Sequence, residues 1–178
     1  MSKGKILIVD DSKTKLEIFK ELLAKNGYDV IVAENGIEGF QKTLAENPDI
    51  VIADLNMPKM NGCEMVRRIK TSEAGKYIPI ICFTAADQDV NKAELVSEFG
   101  ADEFVYFPFD PQELILKIET MMRVRKIYLE LLEKNRQLEI IKKASIDREL
   151  KMIELKERIK DLEKGQTGSD RKNFTAKA

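Results

Sequence analysis

Asp10 and Asp11 directly follow the apolar run Ile6-Leu7-Ile8-Val9, and Asp54 directly follows Ile50-Val51-Ile52-Ala53. A further apolar run, Ile78 to Phe83, ends in Thr84, and another, Phe104 to Tyr106, ends in Phe107-Pro108. Short apolar runs of this kind read as buried strands. In an open parallel sheet, ligands bind beyond the carboxyl ends of the strands, where these acidic residues would gather. Carboxylates held in one place repel one another until something cationic joins them. They therefore point to a bound divalent metal and to phosphate chemistry, in which the metal screens the charge. Phe107 stands out because it puts an aromatic ring where such a pocket would be expected to hold a cation.

The elements that must position these groups follow from pattern and punctuation. Residues 5–9 read as a buried strand. Residues 13–25 read as a helix with Leu16, Phe19, Leu22 and Leu23 on one face, Ser12 as N-cap and Gly27 past its end. Tyr28 to Ala33 is a second strand. Asn35-Gly36 reads as a turn, followed by a helix marked by Ile37, Phe40 and Leu44 and stopped by Asn47-Pro48. Asp49 to Ala53 is the third strand, Met57 to Gly62 a loop, and Cys63 to about Lys70 a helix. Ile78 to Phe83 is the fourth strand, 88–99 a helix ended by Gly100, and Phe104 to Tyr106 a short fifth strand. A last helix begins near Pro111, a favoured first-turn residue. Strands alternating with helices through short connections predict an α/β fold, a doubly wound five-stranded parallel sheet covered on both faces. The right-handed crossover rule and the strand order 2-1-3-4-5, as in flavodoxin-like folds, place the first and third strands side by side. Asp10, Asp11 and Asp54 would then meet at one edge of the sheet.

No strong helix breaker falls between Pro111 and Lys164. A heptad register places Val124, Ile127, Leu131, Leu138, Ile141, Met152, Leu155, Ile159 and Leu162 at its a and d positions, interrupted by Lys134, Ser145 and Arg148. The pattern predicts a parallel coiled coil with a weak point near Ser145, in preference to one amphipathic helix folding back on the domain. The expected divisions are a domain over 1–122, a helical coiled-coil extension over 123–164 and a disordered polar tail over 165–178.

Composition removes several function classes. The chain of 178 residues contains no histidine, which excludes a serine–histidine or cysteine–histidine nucleophile pair, histidine-ligated zinc and a phosphohistidine donor on this chain. Its two cysteines, Cys63 and Cys82, suggest no disulfide framework and read as small buried hydrophobes. The absence of a signal-peptide core or membrane-length apolar run leads to the expectation of a cytoplasmic protein without a membrane partner. Residues 1–119 carry 14 Lys+Arg against 21 Asp+Glu, whereas residues 120–178 carry 16 against 10. This asymmetry reads as an acidic globule joined to a solvated basic helix. There is no dense basic block, and direct nucleic-acid binding is not expected.

Together these motifs resemble the receiver domain of two-component response regulators. The resemblance covers about residues 4–122. It rests on Asp10-Asp11, Asp54, Met57-Pro58-Lys59-Met60-Asn61-Gly62, Thr84-Ala85, Gly100-Ala101-Asp102 and Pro108-Phe109, in this order and on the expected strand ends. It implies that Asp54 is the phosphoacceptor for a sensor histidine kinase. It also implies that Asp10, Asp11, Asp54 and the backbone carbonyl of Asn56 hold Mg2+ (or Mn2+). Thr84 would bind the phosphoryl group and Phe104 would act as the switch aromatic, while residues Asn56 and Ala86 occupy places that tune dephosphorylation. The sequence departs from the family at Phe107, where a lysine normally bridges the phosphoryl oxygens. Lys59 is nearby in sequence but is not assumed to replace it.

Each residue also has a bland reading. Asp10-Asp11 alone would suit a helix cap, and Thr84 alone a cap or turn. Phe104, Phe107 and Phe109 could all be core, which is the preferred reading for Phe109. Coincidence with Asp54 favours the site. The leading expectation is a response regulator, a phosphoacceptor signalling protein rather than an enzyme. It would act through a homodimer formed by the coiled coil, or by the face shared by the 88–99 helix, the fifth strand with Tyr106, and the helix from Pro111. The alternative is a phosphorylation-independent pseudo-receiver scaffold, suggested by Phe107. A phosphatase-like hydrolase fares worse, because the Asp-x-Asp-x-Thr pattern after a first strand is absent.

Overall fold

The computed structural model describes residues 2–85 and 100–174, with side chains described for 2–83, 100–106 and 108–162. The chain forms two compact units, Met1–Tyr128 and Leu129–Ala178. In the first, strands β1 (Lys5–Val9), β2 (Asp29–Ala33), β3 (Ile50–Asp54), β4 (Ile80–Ala85) and β5 (Glu103–Phe107) build one parallel sheet in the order β2-β1-β3-β4-β5. The described helices are α1 (Lys13–Lys25), α2 (Gly36–Glu46), α3 (Gly62–Thr71) and α4 (Pro111–Phe174). This is the doubly wound, flavodoxin-like sheet expected from the sequence. The helix expected over 88–99, together with Ala86, lies outside the described residues.

Successive strand residues point to opposite faces, and the core divides accordingly. Leu7, Val9, Val51 and Ala53 pack with Met65, Val66 and Ile69 of α3. Ile6, Ile8, Ile50 and Ile52 pack with Leu16, Phe19 and Leu23 of α1 and with Leu114 and Ile118 at the start of α4. Both faces are covered, so β1 and β3 read as unbroken apolar runs rather than as alternating ones. Phe19 links layers through rings 5.0 Å from Phe83 and 5.2 Å from Phe109, which makes Phe109 a packing residue.

The helix starts are set by short polar side chains. Ser12 Oγ accepts the Lys15 N–H at 3.4 Å, and Asn61 Oδ1 accepts the Glu64 N–H at 2.8 Å. Asn35, expected in a turn, is instead the N-cap of α2, its Oδ1 accepting the Glu38 N–H at 3.1 Å, and Gly36 is the first helical residue. Several strand bounds also differ from expectation. Asp54, Thr84 and Phe107 are the last or next-to-last residues of their strands rather than residues beyond them. β4 begins at Ile80 because the Ile78 N–H is committed to a turn with Gly75 O, 2.9 Å away, and Pro79 has no N–H.

Two of the carboxylates at the amino-terminal edge of the sheet are firmly tied. Asp49 Oδ2 accepts the Lys5 N–H at 2.9 Å, and Asp49 Oδ1 lies 3.2 Å from Arg125 Nη1. Asp102 Oδ2 accepts the Ile80 N–H at 2.7 Å and Lys70 Nζ at 2.6 Å. Arg125 Nη1 also donates to the Pro48 carbonyl at 2.6 Å, and the Tyr128 ring lies 5.0 Å from Tyr77. These ties hold α4 as far as Tyr128 within the first compact unit. Helix α4 also runs through Ser145 without a break and continues through Gly165 and Gly168 to Phe174, where a disordered tail from 165 was expected. Single serines and glycines weaken a helix without ending it. Among the described residues, no helix is long and apolar enough to cross a membrane.

Helix α3 is seated directly on the end of β3. The Gly62 N–H donates to Leu55 O at 2.9 Å. A Cβ at Gly62 would collide with the Asp54 carbonyl oxygen and would lie 2.7 Å from Leu55 Cα. Both neighbours are backbone and cannot swing aside. Gly62→Ala is therefore expected to destabilise the domain by about 1–3 kcal/mol, read as a lowered urea midpoint with an unchanged slope.

Candidate functional site: an acidic pocket at the carboxyl edge of the sheet

Register brings the acidic residues together. Val9 pairs with Ala53 across β1 and β3, so Asp10 emerges beside Asp54, which itself pairs with Phe83 of β4. Carboxylate oxygens of Asp10, Asp11 and Asp54 all lie within 4.8 Å of one another. Asp10 is fully buried, Asp54 is 6% exposed and Asp11 faces solvent. The backbone fixes two of the carboxylates. Asp10 Oδ1 accepts the Ser12 N–H at 2.7 Å, and Asp54 Oδ1 accepts the Asn56 N–H at 3.0 Å.

The remaining oxygens face a cation that the sequence did not single out. Lys15 Nζ of α1 lies 2.7 Å from Asp54 Oδ2 and 3.2 Å from Asp10 Oδ2. It also sits 5.4 Å from the centre of the Phe83 ring. Burial works against its charge, but the hydrogen bond and charge of Asp54, joined by Asp10, outweigh it and hold the Lys15 pKa above the ordinary lysine value. Burial pushes the Asp10 pKa up, with the Asp54 charge adding to it and Ser12 and Lys15 opposing. The available sequence signal was spacing: Lys15 precedes Phe19 by four residues and shares its helix stripe.

The other expected site residues are placed as follows. Thr84 and Phe107 lie on adjoining strands, with backbone partners Tyr106 and Ala85 respectively, and their side chains are outside the described set. Phe104 is buried against the layer containing Met57, Met60 and Met65. Tyr106 is on the surface. Lys59 is exposed, has a left-handed backbone at φ 69° and contributes to the field that lowers the Glu38 pKa, after the larger effects of Lys42 and the Glu34 N–H. Cys82 is buried and Cys63 half-buried, with burial raising both thiol pKa values.

The donor set suits a hard divalent cation. It is all oxygen, and Asp10 Oδ2 is buried without a directed hydrogen bond among the described residues. An oxygen so placed gains from a ligand that accepts its lone pair.

Comparison with known proteins agrees with this geometry. The family model for the response regulator receiver domain matches residues 6–119. The chain is 39% identical over 123 residues to chemotaxis protein CheY1 of Helicobacter pylori, a match covering 66% of this chain and 96% of that protein. It is 33% identical over 123 residues to the alkaline phosphatase synthesis transcriptional regulatory protein PhoP of Bacillus subtilis, a match covering 69% of this chain and 50% of that one. The chain thus spans about half the length of that second relative. The signal receiver domain of a signal transduction histidine kinase from Syntrophus aciditrophicus superposes with a TM-score of 0.63 at 32% identity, covering 67% of this chain and 90% of the other.

Asp10→Asn retains an acceptor for the Ser12 N–H while removing a buried like charge from the pocket. In metal-free protein it is expected to raise Tm by about 3 °C, equivalent to ~1 kcal/mol in a chain of this size. Millimolar Mg2+ is expected to raise the wild-type Tm through binding to the folded state and to raise that of the variant by less than half as much. Differential scanning fluorimetry with an extrinsic dye checks both.

Proposed function

Because the chain belongs to the response regulator receiver domain family, we propose that it receives a phosphoryl group on Asp54 from a sensor histidine kinase and signals through its carboxy-terminal helix. The observation that carries this reading is the clustering of Asp10, Asp11 and Asp54 within 4.8 Å at the end of β1 and β3. In the transfer, an oxygen of Asp54 attacks phosphorus and forms the O–P bond. The P–N bond to the kinase imidazole breaks, and its electron pair leaves on the imidazole nitrogen. The protein has little covalent chemistry to perform beyond supplying the nucleophile, so positioning and charge neutralisation decide the rate.

Asp10, Asp11, Asp54 and the Asn56 carbonyl would hold Mg2+ or Mn2+. When bound, the ion offsets the charge of the carboxylates and of the incoming phosphoryl oxygens. The Asn56 N–H fixes the Asp54 rotamer through Oδ1. Thr84, next to the end of β4, would donate its hydroxyl to the phosphoryl group, and Phe104 would respond by changing rotamer. The protein acts as a cytoplasmic phosphoacceptor in signalling, without turnover of a small substrate and without direct binding of nucleic acid.

The output reading rests on the second unit. Leu131, Leu138, Ile141, Met152, Leu155, Ile159 and Leu162 follow the heptad register and are each more than half exposed on the single chain. A second copy aligned in parallel would bury that seam. The division expected from sequence, with the receiver over 1–122, the coil over 123–164 and a polar tail over 165–178, is retained as a functional proposal. Phe107, standing where the family carries lysine, favours a second reading: a scaffold that works without phosphorylation. An Asp54→Asn chain that supports its pathway normally would favour that scaffold.

Two outcomes are expected. Incubation with Mg2+ and acetyl phosphate adds one phosphoryl mass to the wild-type chain and none to Asp54→Asn, as measured by intact mass; an unlabelled wild type refutes the phosphoacceptor reading. Light scattering gives a dimer mass for the full chain, and Leu138→Asp combined with Ile141→Asp shifts it to the monomer mass.

A further inference from the structure

Asp54 Oδ2 and Asp10 Oδ2 share one ammonium, and it comes from an unexpected element. Lys15 reaches them from the first turns of α1, whose start is fixed by the Ser12 cap. The family pattern would place a lysine at the end of β5, and there the chain has Phe107. Lys59, in the loop that follows β3, is exposed, and its charge acts on Glu38. Lys15 is itself about one-third exposed, and its ammonium lies 5.4 Å from the centre of the Phe83 ring while it contacts both carboxylates.

We propose that Lys15 is the phosphoryl-binding cation of this pocket, supplied from α1 in place of the absent lysine at the end of β5. The inference rests on the phosphoacceptor reading of Asp54. In the described state the ammonium is hydrogen-bonded to Asp54 Oδ2. Once phosphorus is attached to that carboxylate, phosphoryl oxygens lie next to the position the ammonium already occupies. A flexible four-carbon stem carrying three rotatable donors can pass its hydrogen bond to them. Formal charge is consistent with this assignment: Asp10, Asp11 and Asp54 sum to −3, Lys15 and a divalent cation sum to +3, and the pocket is neutral before the phosphoryl group arrives.

The same geometry gives Lys15 a second, opposite effect. Its contact with Asp10 Oδ2 places it against an oxygen that a metal would use, so without a phosphoryl group the ammonium repels the metal. Loss of the charge should therefore tighten Mg2+ binding and weaken phosphoryl binding at once. An ion pair serving stability alone would lack that crossed signature.

Lys15→Met keeps an unbranched apolar side chain at this position and removes the charge, and a thermal melt confirms folding. By calorimetry, the variant is expected to bind Mg2+ several-fold more tightly than wild type, and to bind beryllofluoride in the presence of Mg2+ more weakly. Labelling by acetyl phosphate, followed by intact mass, is expected to slow on the order of 10²-fold, as for the loss of one transition-state donor. Adding Phe107→Lys to Lys15→Met is expected to recover most of that rate. If wild type is labelled and Lys15→Met is labelled at the same rate, this inference falls while Asp54 stands as phosphoacceptor. If wild type is not labelled, that reading falls and this inference falls with it.

Discussion

Like charges held close together at the end of a hydrophobic sheet are the constraint around which this molecule is organised. Asp10 is fully buried and Asp54 nearly so, and in such surroundings the repulsion between carboxylates is far stronger than in water. The fold meets this cost with apolar packing elsewhere. β1 and β3 bury Ile6 to Val9 and Ile50 to Ala53 completely, with α1 on one face and α3 on the other. The Ser12 and Asn56 N–H groups each hold one oxygen of Asp10 and Asp54 in place and leave the other turned to the pocket. The pocket is thereby ready for a cation, and Lys15 meets part of that demand.

The pocket was legible from sequence because its members sit where a change in periodicity is abrupt. An apolar run stops at Asp10 and another at Asp54, and strand order does the rest. Lys15 was not legible in the same way. A lysine in the first turns of an amphipathic helix is ordinarily a solvated residue, and only the stacking of α1 over Phe83 turns it inward. Phe107 marks the place where the resemblance leads one to expect a lysine, and nothing in that mark points to the cation contributed by α1. The differences at Asn35, Ile80 and Thr84 have a common physical origin. Backbone hydrogen bonding decides where an element starts and stops, and side-chain hydropathy reports this only indirectly.

The limits of the first unit were also hidden. Apolar spacing could not show which part of α4 belongs to the first unit, because Val124 and Ile127 follow the same register as Leu131 and Leu138. Arg125 and Tyr128 mark the distinction instead, through Pro48, Asp49 and Tyr77. Burial lowers the Arg125 pKa while Asp49 opposes the change, the pattern of a guanidinium serving as a fastener rather than as a solvated charge. Arg125 and Tyr128 thus tie the opening turns of α4 into the first unit.

The two edges of the sheet treat their carboxylates in opposite ways. At the amino-terminal edge, Asp49 and Asp102 each have a strand N–H and a basic side chain, so their valence is filled and they behave as rivets. At the carboxyl edge, Asp10 Oδ2 has only the Lys15 ion pair and no directed hydrogen bond among the described residues, and one ammonium does not balance three carboxylates. The sheet is therefore polarised: Asp49 and Asp102 at one rim are closed off by their partners, whereas the cluster at the other carries more negative charge than Lys15 offsets. An ion diffusing over this surface meets unspent negative charge where Asp10, Asp11 and Asp54 converge.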